Sequence, residues 1–440
     1  MNFSQHFTYR RLLRYAFPPV IMMIFTSLYS VVDGLFLSNY TGTEAFAAVN
    51  FIIPYLMMFT STGFMFGTGG SALIAKKLGE QKQRDADEIF STLMWVSLMT
   101  GTVLAAIGYL LLKPVALLQG ADGPLLKYSL QYGRIYLLGT PACIVQFEFQ
   151  NLYSTAGKNK LGLYATVLSG LMNIVPDGLF LGAFSWGITG AAAATVVSQV
   201  TGGLIPFVYF GRKNTSLLRM VRCRLRGKDM LKICLNGSSE MVSNISISLV
   251  SLLYNMQLLA YAGDRGIAAY GIMMYVNFLF TAVFWGYTSG AAPIISFHYG
   301  AENHRELHSL LKKSLMIIFI ASAAMFLLSV AAARPVSSFF VSYDPALLEM
   351  TVRGFYLFSL NFLFEGLSIF GSAFFTALNN GPVSAGLSFA RIFVFQVPAV
   401  LLLPLLWKLD GIWLSAVAAN FLAALLSAAF VLAYRKKYQY

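Results

Sequence analysis

The residues able to do chemistry are ionisable and amide side chains inside stretches that are otherwise apolar. Asp33 lies 18 residues beyond Tyr15, about 27 Å along a helix rising 1.5 Å per residue. Asp177 lies 17 residues beyond Lys160, about 26 Å along its own segment, so both carboxyls come to one depth. Asn173 precedes Asp177 by one turn on the same helical face. Thr195 falls about 12 Å in from Gly187. Carboxylate, amide and hydroxyl oxygens together suit a hard cation such as sodium, and equally a proton shared between coupled carboxyls. The type of donor leaves both open.

A second constellation combines Glu240, Glu365 and Arg391, each within an apolar run and at inner to middle depth. Charges placed there need partners, a water-filled cavity or a function. The three could form a buried ion network, or the glutamates could attract a cationic ligand while Arg391 holds one of them. An offset of 221 residues brings Asp33 onto Tyr254 and Asp177 onto Pro398, so only the first half carries the acid pair. Arg134 and Arg353 fall near outer helix starts and are expected to snorkel to lipid headgroups. Pro18 and Pro19 interrupt the first apolar run, where a freed carbonyl permits bending.

The elements that position these groups follow from composition. The chain is 57% apolar and only 11% charged, against a soluble norm of roughly 45–50% and about 25%. Apolar runs long enough to cross a hydrocarbon core of about 30 Å recur along its whole length. They predict spans at 15–38, 45–75, 89–112, 128–155, 161–183, 187–210, 231–262, 266–296, 314–333, 350–377, 383–406 and 411–434. The expected fold is an all-α integral membrane protein with twelve transmembrane helices. Of the 31 Lys and Arg, 23 fall in the tails and loops on the side of the termini. Five (Lys113, Lys127, Arg265, Arg334 and Lys408) fall on the opposite side. Positive charge is retained inside, which predicts cytoplasmic N- and C-termini.

An internal repeat divides the chain. "GTGGSALIAKKLGEQKQR" (67–84) matches "YTSGAAPIISFHYGAENHR" (287–305), "YSTAGKN" (153–159) matches "FFTALNN" (374–380), and "WGITGAAAA" (186–194) matches "DGIWLSAVAA" (410–419). An even number of spans per half makes the two six-helix lobes parallel repeats with a cleft between them. The lobes are read as 1–210 and 231–440. The joining segment 211–230 is strongly basic, with Arg212, Lys213, Arg219, Arg222, Arg224, Arg226 and Lys228, and is expected as an amphipathic stretch on anionic headgroups.

A net charge of +13 spread through short loops argues against a nucleic-acid partner, which would need a basic face on a soluble module. Cys143, Cys223 and Cys234 have neither metal-site nor disulfide spacing. Each histidine (His6, His298, His304 and His308) lies outside the predicted spans, and no nucleophile or metal cluster faces a cavity, so a membrane enzyme is not expected. A facilitator-type transporter would carry a glycine, acid and arginine pattern that "KKLGEQKQRDADE" (76–88) does not reproduce.

Several segments together resemble the multidrug and toxic compound extrusion transporters over essentially the full chain. They are "SLYSVVDGLFLSNYTGTEAFAAVN" (27–50), "AKKLGEQKQRDADEI" (75–89), "NLYSTAGKNK" (151–160), "LMNIVPDGLFLGAFSWGITGAAAATVVSQ" (171–199) and "NGSSEMVSNISISLVSLLYNMQLLAYAGDRGIAAYGIMMYVNF" (236–278). The "NGSSE" opening is similar to the staphylococcal-type bacterial branch. The resemblance implies a cation site on Asp33, Asn173, Asp177 and Thr195, a helix-1 bend at Pro18, and approximate matches at Glu240 and Glu365 to acids of other branches. It implies a monomeric antiporter of the bacterial inner membrane, without a cofactor, exporting amphipathic and chiefly cationic small molecules against protons or sodium ions. The alternative is a flippase of lipid-linked or polar precursors, expected to show a strongly basic central cavity where this chain offers only Arg391.

Overall fold

The chain begins its first helix where Thr8 accepts a hydrogen bond from the Arg11 amide, satisfying one of the free N–H groups of the opening turn. From there α1 (Tyr9–Tyr40) runs helical through Pro18 and Pro19. It is followed by α2 (Thr43–Gly79), α3 (Gln83–Leu118), α4 (Gly123–Thr155), α5 (Asn159–Asp177) and α6 (Ile188–Phe210). The second half contains α7 (Gly227–Gly300), α8 (His304–Val341), α9 (Pro345–Ser359), α10 (Phe362–Ala377), α11 (Gly381–Phe389) and α12 (Val397–Tyr438). The computed structural model describes residues 3–223, 226–342 and 344–440, without the side chains of Thr43, Ser248 and Asp264. Arg224 lies outside the described residues.

Two long helices are broken internally. Gly263, at φ 61°, takes a conformation open mainly to glycine and divides α7 into arms Gly227–Gly263 and Arg265–Gly300. Lys408, at φ 50° and ψ −128°, breaks α12. Two π-helical turns also occur among the described residues: Gly178–Ala183 continues α5 directly after Asp177, and Ala390–Gln396, which contains Arg391, joins α11 to α12. Such turns hold one surplus residue and concentrate at functional sites.

Among the described residues, nine helices are long and apolar enough to cross a membrane, or ten if α9 and α10, bent by 45°, count as one. Twelve were expected. The difference has two sources. Lys127, Arg134 and Glu148 with their amide neighbours make α4 too polar to qualify by apolarity, and helical hydrogen bonding continues from Gly381 to Tyr438 across the Lys408 break. The protein is a multi-pass membrane protein.

Core packing distinguishes the two faces of the molecule. Near the opposite face, one cluster (Leu37, Val49, Ile52, Leu137, Ile188) draws only on the first half. Another (Tyr254, Met273, Phe355, Trp413) draws only on the second. On the face bearing the termini, a single cluster unites Phe3, Phe7, Leu12 and Tyr15 with Ile294, Leu310, Phe374 and Tyr438. The halves meet there through small residues: a Cβ on Gly79 would stand 2.0 Å from the Phe297 carbonyl oxygen, and one on Gly300 2.1 Å from that of Lys76. A Cβ on Gly237 would stand 1.9 Å from the Met65 carbonyl oxygen. Such backbone contact is how helices associate where lipid offers no hydrophobic gain. The halves are therefore joined at the termini face.

The tail before α1 belongs to this closure. The Phe7 amide donates to Glu306 Oε1 at 2.9 Å, His6 Nδ1 lies 2.6 Å from Glu306 Oε2, and Lys313 Nζ donates to the Phe7 carbonyl at 2.5 Å. At the other end of the segment, the Tyr15 hydroxyl donates to the Ser154 carbonyl and Asn159 Nδ2 donates to the Tyr15 carbonyl at 2.6 Å. One short segment thus bridges α8 of the second half and the α4–α5 corner of the first.

The basic linker packs against the first half. Residues 211–223 form no helix and pass as a strap over the start of α3. Leu218 is fully buried in the first-half core, the Arg219 amide donates to Asp87 Oδ1 at 2.9 Å, and the Val221 amide donates to Ser91 Oγ at 2.8 Å. Arg226 pairs with Asp85 and Glu88 at 2.9 and 2.8 Å. Alternating amides find fixed acceptors on α3, which satisfies the backbone of the strap. Arg353 departs from expectation: it forms a fork with Asp410, its Nε 3.0 Å from Oδ1, instead of reaching for lipid.

Candidate functional site

The oxygen cluster inferred from depth assembles in the first half. α1 brings Asp33, α5 brings Asn173 and Asp177 one turn apart, and α6 brings Thr195. Asn173 Nδ2 donates to Asp33 Oδ1 at 3.3 Å, across 140 residues of sequence. The Asp33 and Asp177 carboxyls adjoin. Asp177 is wholly shielded from solvent, and neither of its oxygens has a hydrogen-bond partner among the described residues; Asn173 Oδ1 is likewise unmatched. Two adjoining carboxylates repel, so the pair demands a positive charge, either a proton or a cation. Thr195 spends its hydroxyl proton on the Ala191 carbonyl at 3.0 Å, which leaves its lone pairs free to accept.

Sequence reasoning missed the tyrosines around this cluster. Tyr132 of α4 is buried, stacks on Tyr136 with ring centroids 6.0 Å apart, and turns its hydroxyl toward Thr195. Tyr29 stands one turn before Asp33 on α1. The recurrence of Tyr128, Tyr132 and Tyr136 every four residues, one stripe of polar-tipped rings on a helix face, is the signal that could have revealed the first of these. Pro18 lies on α1 well before the cluster, in a helix that continues unbroken past it.

In the second half the three ionisable groups share a neighbourhood, and the ion network, one of the two arrangements open to them, is not formed among the described residues. No ion pair within 4.0 Å joins Arg391 to Glu240 or Glu365 among the described residues; the Arg391 guanidinium instead donates to Ser243 Oγ at 3.3 Å. Glu365 accepts from Thr281 Oγ1 at 2.9 Å and from Asn361 Nδ2 at 3.1 Å. Asn420 Nδ2 in turn donates to Asn361 Oδ1 at 2.7 Å. The hydroxyl and amide dipoles around Glu365 satisfy it without an arginine, which explains why the salt bridge does not form. Arg391 and Glu365 line a cavity of about 140 Å³.

The MatE family model matches this chain twice, over residues 18–179 and 241–402, once in each half. The Multidrug export protein MepA of Staphylococcus haemolyticus is 23% identical over 443 residues, spanning 99% of this chain and 96% of that protein. MepA of Staphylococcus saprophyticus is 22% identical over 373 residues, covering 83% of this chain and 82% of that one. The fold is similar to an outward-facing conformation of a multidrug resistance MATE family transporter of the MOP superfamily, with a TM-score of 0.91, 22% identity, and coverage of 97% of this chain and 96% of that one. It is equally similar to a crystal structure of MATE in complex with MaL6, at a TM-score of 0.92 and 22% identity over 97% of this chain and 96% of that one.

Proposed function

The chain belongs to the MatE family, and from that premise we propose that it is a secondary transporter exporting amphipathic, chiefly cationic small molecules from the bacterial cell in exchange for protons or sodium ions. The observation that carries this reading is the Asp33–Asp177 pair, with Asn173 on one carboxyl and no partner on the other. A site that requires a positive charge, buried among the helices of one half, is what ion-driven exchange needs. The full-length likeness to the staphylococcal multidrug export proteins supports the substrate class.

The chain crosses the membrane twelve times in this reading, with α4 counted despite its polarity, α9 and α10 as one crossing, and Gly381–Tyr438 as two, divided at Lys408. Both termini then lie in the cytoplasm, where the excess of lysine and arginine belongs. Ion binding at the acid pair and drug binding in the cleft favour different arrangements of the two lobes, and that difference in affinity is sufficient for coupling. The lobes alternate access by separating at the glycine seam, and Pro18 allows α1 to bend as they do.

Efflux of ethidium from cells carrying Asp33→Asn or Asp177→Asn tests the assignment. Gradient-driven efflux is expected to collapse in both. Efflux equal to wild type in either would remove the pair from the mechanism. Counterflow in proteoliposomes with separate pH and sodium gradients identifies the ion.

A further inference from the structure

The cations of the strap divide into two sets. Arg226 meets Asp85 and Glu88, and the Arg219 backbone is tied to Asp87. Arg212 and Lys213, where the strap leaves α6, form no ion pair among the described residues. Both are exposed, and both line a groove of about 750 Å³, a volume in the range of small-molecule sites. Among the described residues its lining holds no acid.

Two helix ends build this groove. Thr201, Leu204, Ile205 and Val208 recur at the spacing of one face of α6, and Leu161 from the first turn of α5 joins them. Leu204 and Val208 are each 53% exposed on a helix long and apolar enough to cross a membrane, so the trough opens sideways to lipid. From Thr201 to Val208 it runs about 10 Å along the helix. The basic rim begins just past Phe210, where α6 ends. Asn214 holds that rim in shape: its Nδ2 donates to the Arg212 carbonyl at 3.0 Å, and its Oδ1 accepts from the Ser216 amide at 3.0 Å. A third cation stands beside it, because Lys158 Nζ donates to Thr215 Oγ1 at 2.9 Å and lies 6.0 Å from the centre of the Tyr209 ring. Thr215 and Tyr209 both line the groove. Three positive charges thus gather at one end of an apolar trough.

We propose that this groove binds one anionic phospholipid: Arg212 and Lys213 receive the phosphate, Lys158 adds to the positive field, and an acyl chain lies along the Leu204–Val208 face of α6. Guanidinium and ammonium donors suit phosphate oxygens, and basic residues at the membrane surface attract anionic headgroups. A free phosphate would meet the same cations and leave the trough unused; a lipid has a part for each. An acyl chain that leaves bulk lipid for the trough gains no hydrophobic free energy, so net charge at the headgroup sets the selectivity. The assignment is independent of which compounds the protein exports.

Native mass spectrometry of the purified protein, titrated with phosphatidylglycerol or phosphatidylcholine of identical acyl chains, tests it. Wild type should bind phosphatidylglycerol more tightly by roughly tenfold. Arg212→Ala combined with Lys213→Ala should weaken phosphatidylglycerol by roughly tenfold or more and phosphatidylcholine by less than about twofold. The same loss of charge at the exposed end of α12, Arg435→Ala with Lys436→Ala, should change phosphatidylglycerol by less than about twofold. Val208→Trp, which fills the trough and keeps the cations, should also weaken the lipid. Inorganic phosphate in roughly tenfold excess should leave the lipid bound. Thermal melting in detergent checks that each variant is folded; if the double variant fails, Lys213→Ala alone replaces it, with a loss of roughly fivefold expected. Equal affinity of wild type for the two lipids, or equal loss in the α6 and α12 variants, overturns the proposal. So does undiminished binding by Val208→Trp, or displacement of the lipid by inorganic phosphate, since either would reduce the groove to a site for the phosphate ion.

Discussion

Asn173 Nδ2 donates to Asp33 Oδ1 at 3.3 Å and thereby fixes one carboxyl of the acid pair while leaving Asp177 unpartnered. The amide orients Asp33 without neutralising it. Asn173→Leu should therefore preserve the fold and weaken ion binding by roughly tenfold, the order expected for one hydrogen bond to a charged group. The ion concentration giving half-maximal efflux in proteoliposomes measures this. No change would show that Asn173 merely packs.

The glycine seam predicts a steric effect on conformation. A side chain at position 79 meets the Phe297 carbonyl at 2.0 Å, backbone that cannot step aside. Gly79→Val should cost about 1–3 kcal/mol of the closed arrangement and shift the population toward separation at the termini face. Distances between spin labels on Arg84 and Arg305 should lengthen or broaden. An unchanged distribution would mean that the seam yields elsewhere.

At the tail clamp, pH has a defined direction. Burial pushes the Glu306 carboxyl up, but the Phe7 amide and the His6 ring outweigh it and hold the group below its ordinary value of 4.5. A carboxyl lowered on folding contributes stability above its ordinary value and loses it as pH falls through the folded one. The clamp should therefore hold at neutral pH and release below about pH 4.5. Amide exchange of residues 3–8, corrected for intrinsic rates, should rise in that acid window. Glu306→Gln should raise it already at pH 7, reflecting a loss of roughly 1 kcal/mol. Protection that stays level as pH falls from 7 to well below 4.5 would refute the clamp.

The strap makes a further prediction. Asp87 accepts from the Arg219 amide, and Asp87→Ala removes that acceptor from a buried position, at a cost of about 1–3 kcal/mol locally. Exchange at Arg219 and Val221 should accelerate while that of α3 beyond Met94 stays unchanged. Equal acceleration along α3 would show that the residue supports the helix and not the strap.

Much of the first site was legible because depth is one-dimensional. A rise of 1.5 Å per residue places Asp33 and Asp177 at one level without any knowledge of which helices touch. Lateral placement is different, since the neighbour of a side chain depends on crossings between segments remote in sequence. Tyr132 escaped notice for that reason, as did the Arg353–Asp410 fork, whose members are 57 residues apart. In the second half, residue types gather Glu240, Glu365 and Arg391 into one region and leave open whether they bond. Neutral donors such as Thr281 and Asn361 decide that outcome, and in sequence nothing distinguishes them from other polar residues in apolar runs. The small residues at the junction between the halves are identified only by backbone contacts, which sequence does not contain.

The π-helical turns after Asp177 and around Arg391 bear on how these sites operate. A surplus residue in a helix behaves like a ruck in a carpet: it can travel by one position while both ends stay put. Each passage swivels one side chain by about 100°, the angular step of a helix with 3.6 residues per turn. Asp177 and Arg391 each sit where such a swivel starts or passes. A side chain at that place can be turned from one set of neighbours to another by a small rotary movement while its helix stays at its post.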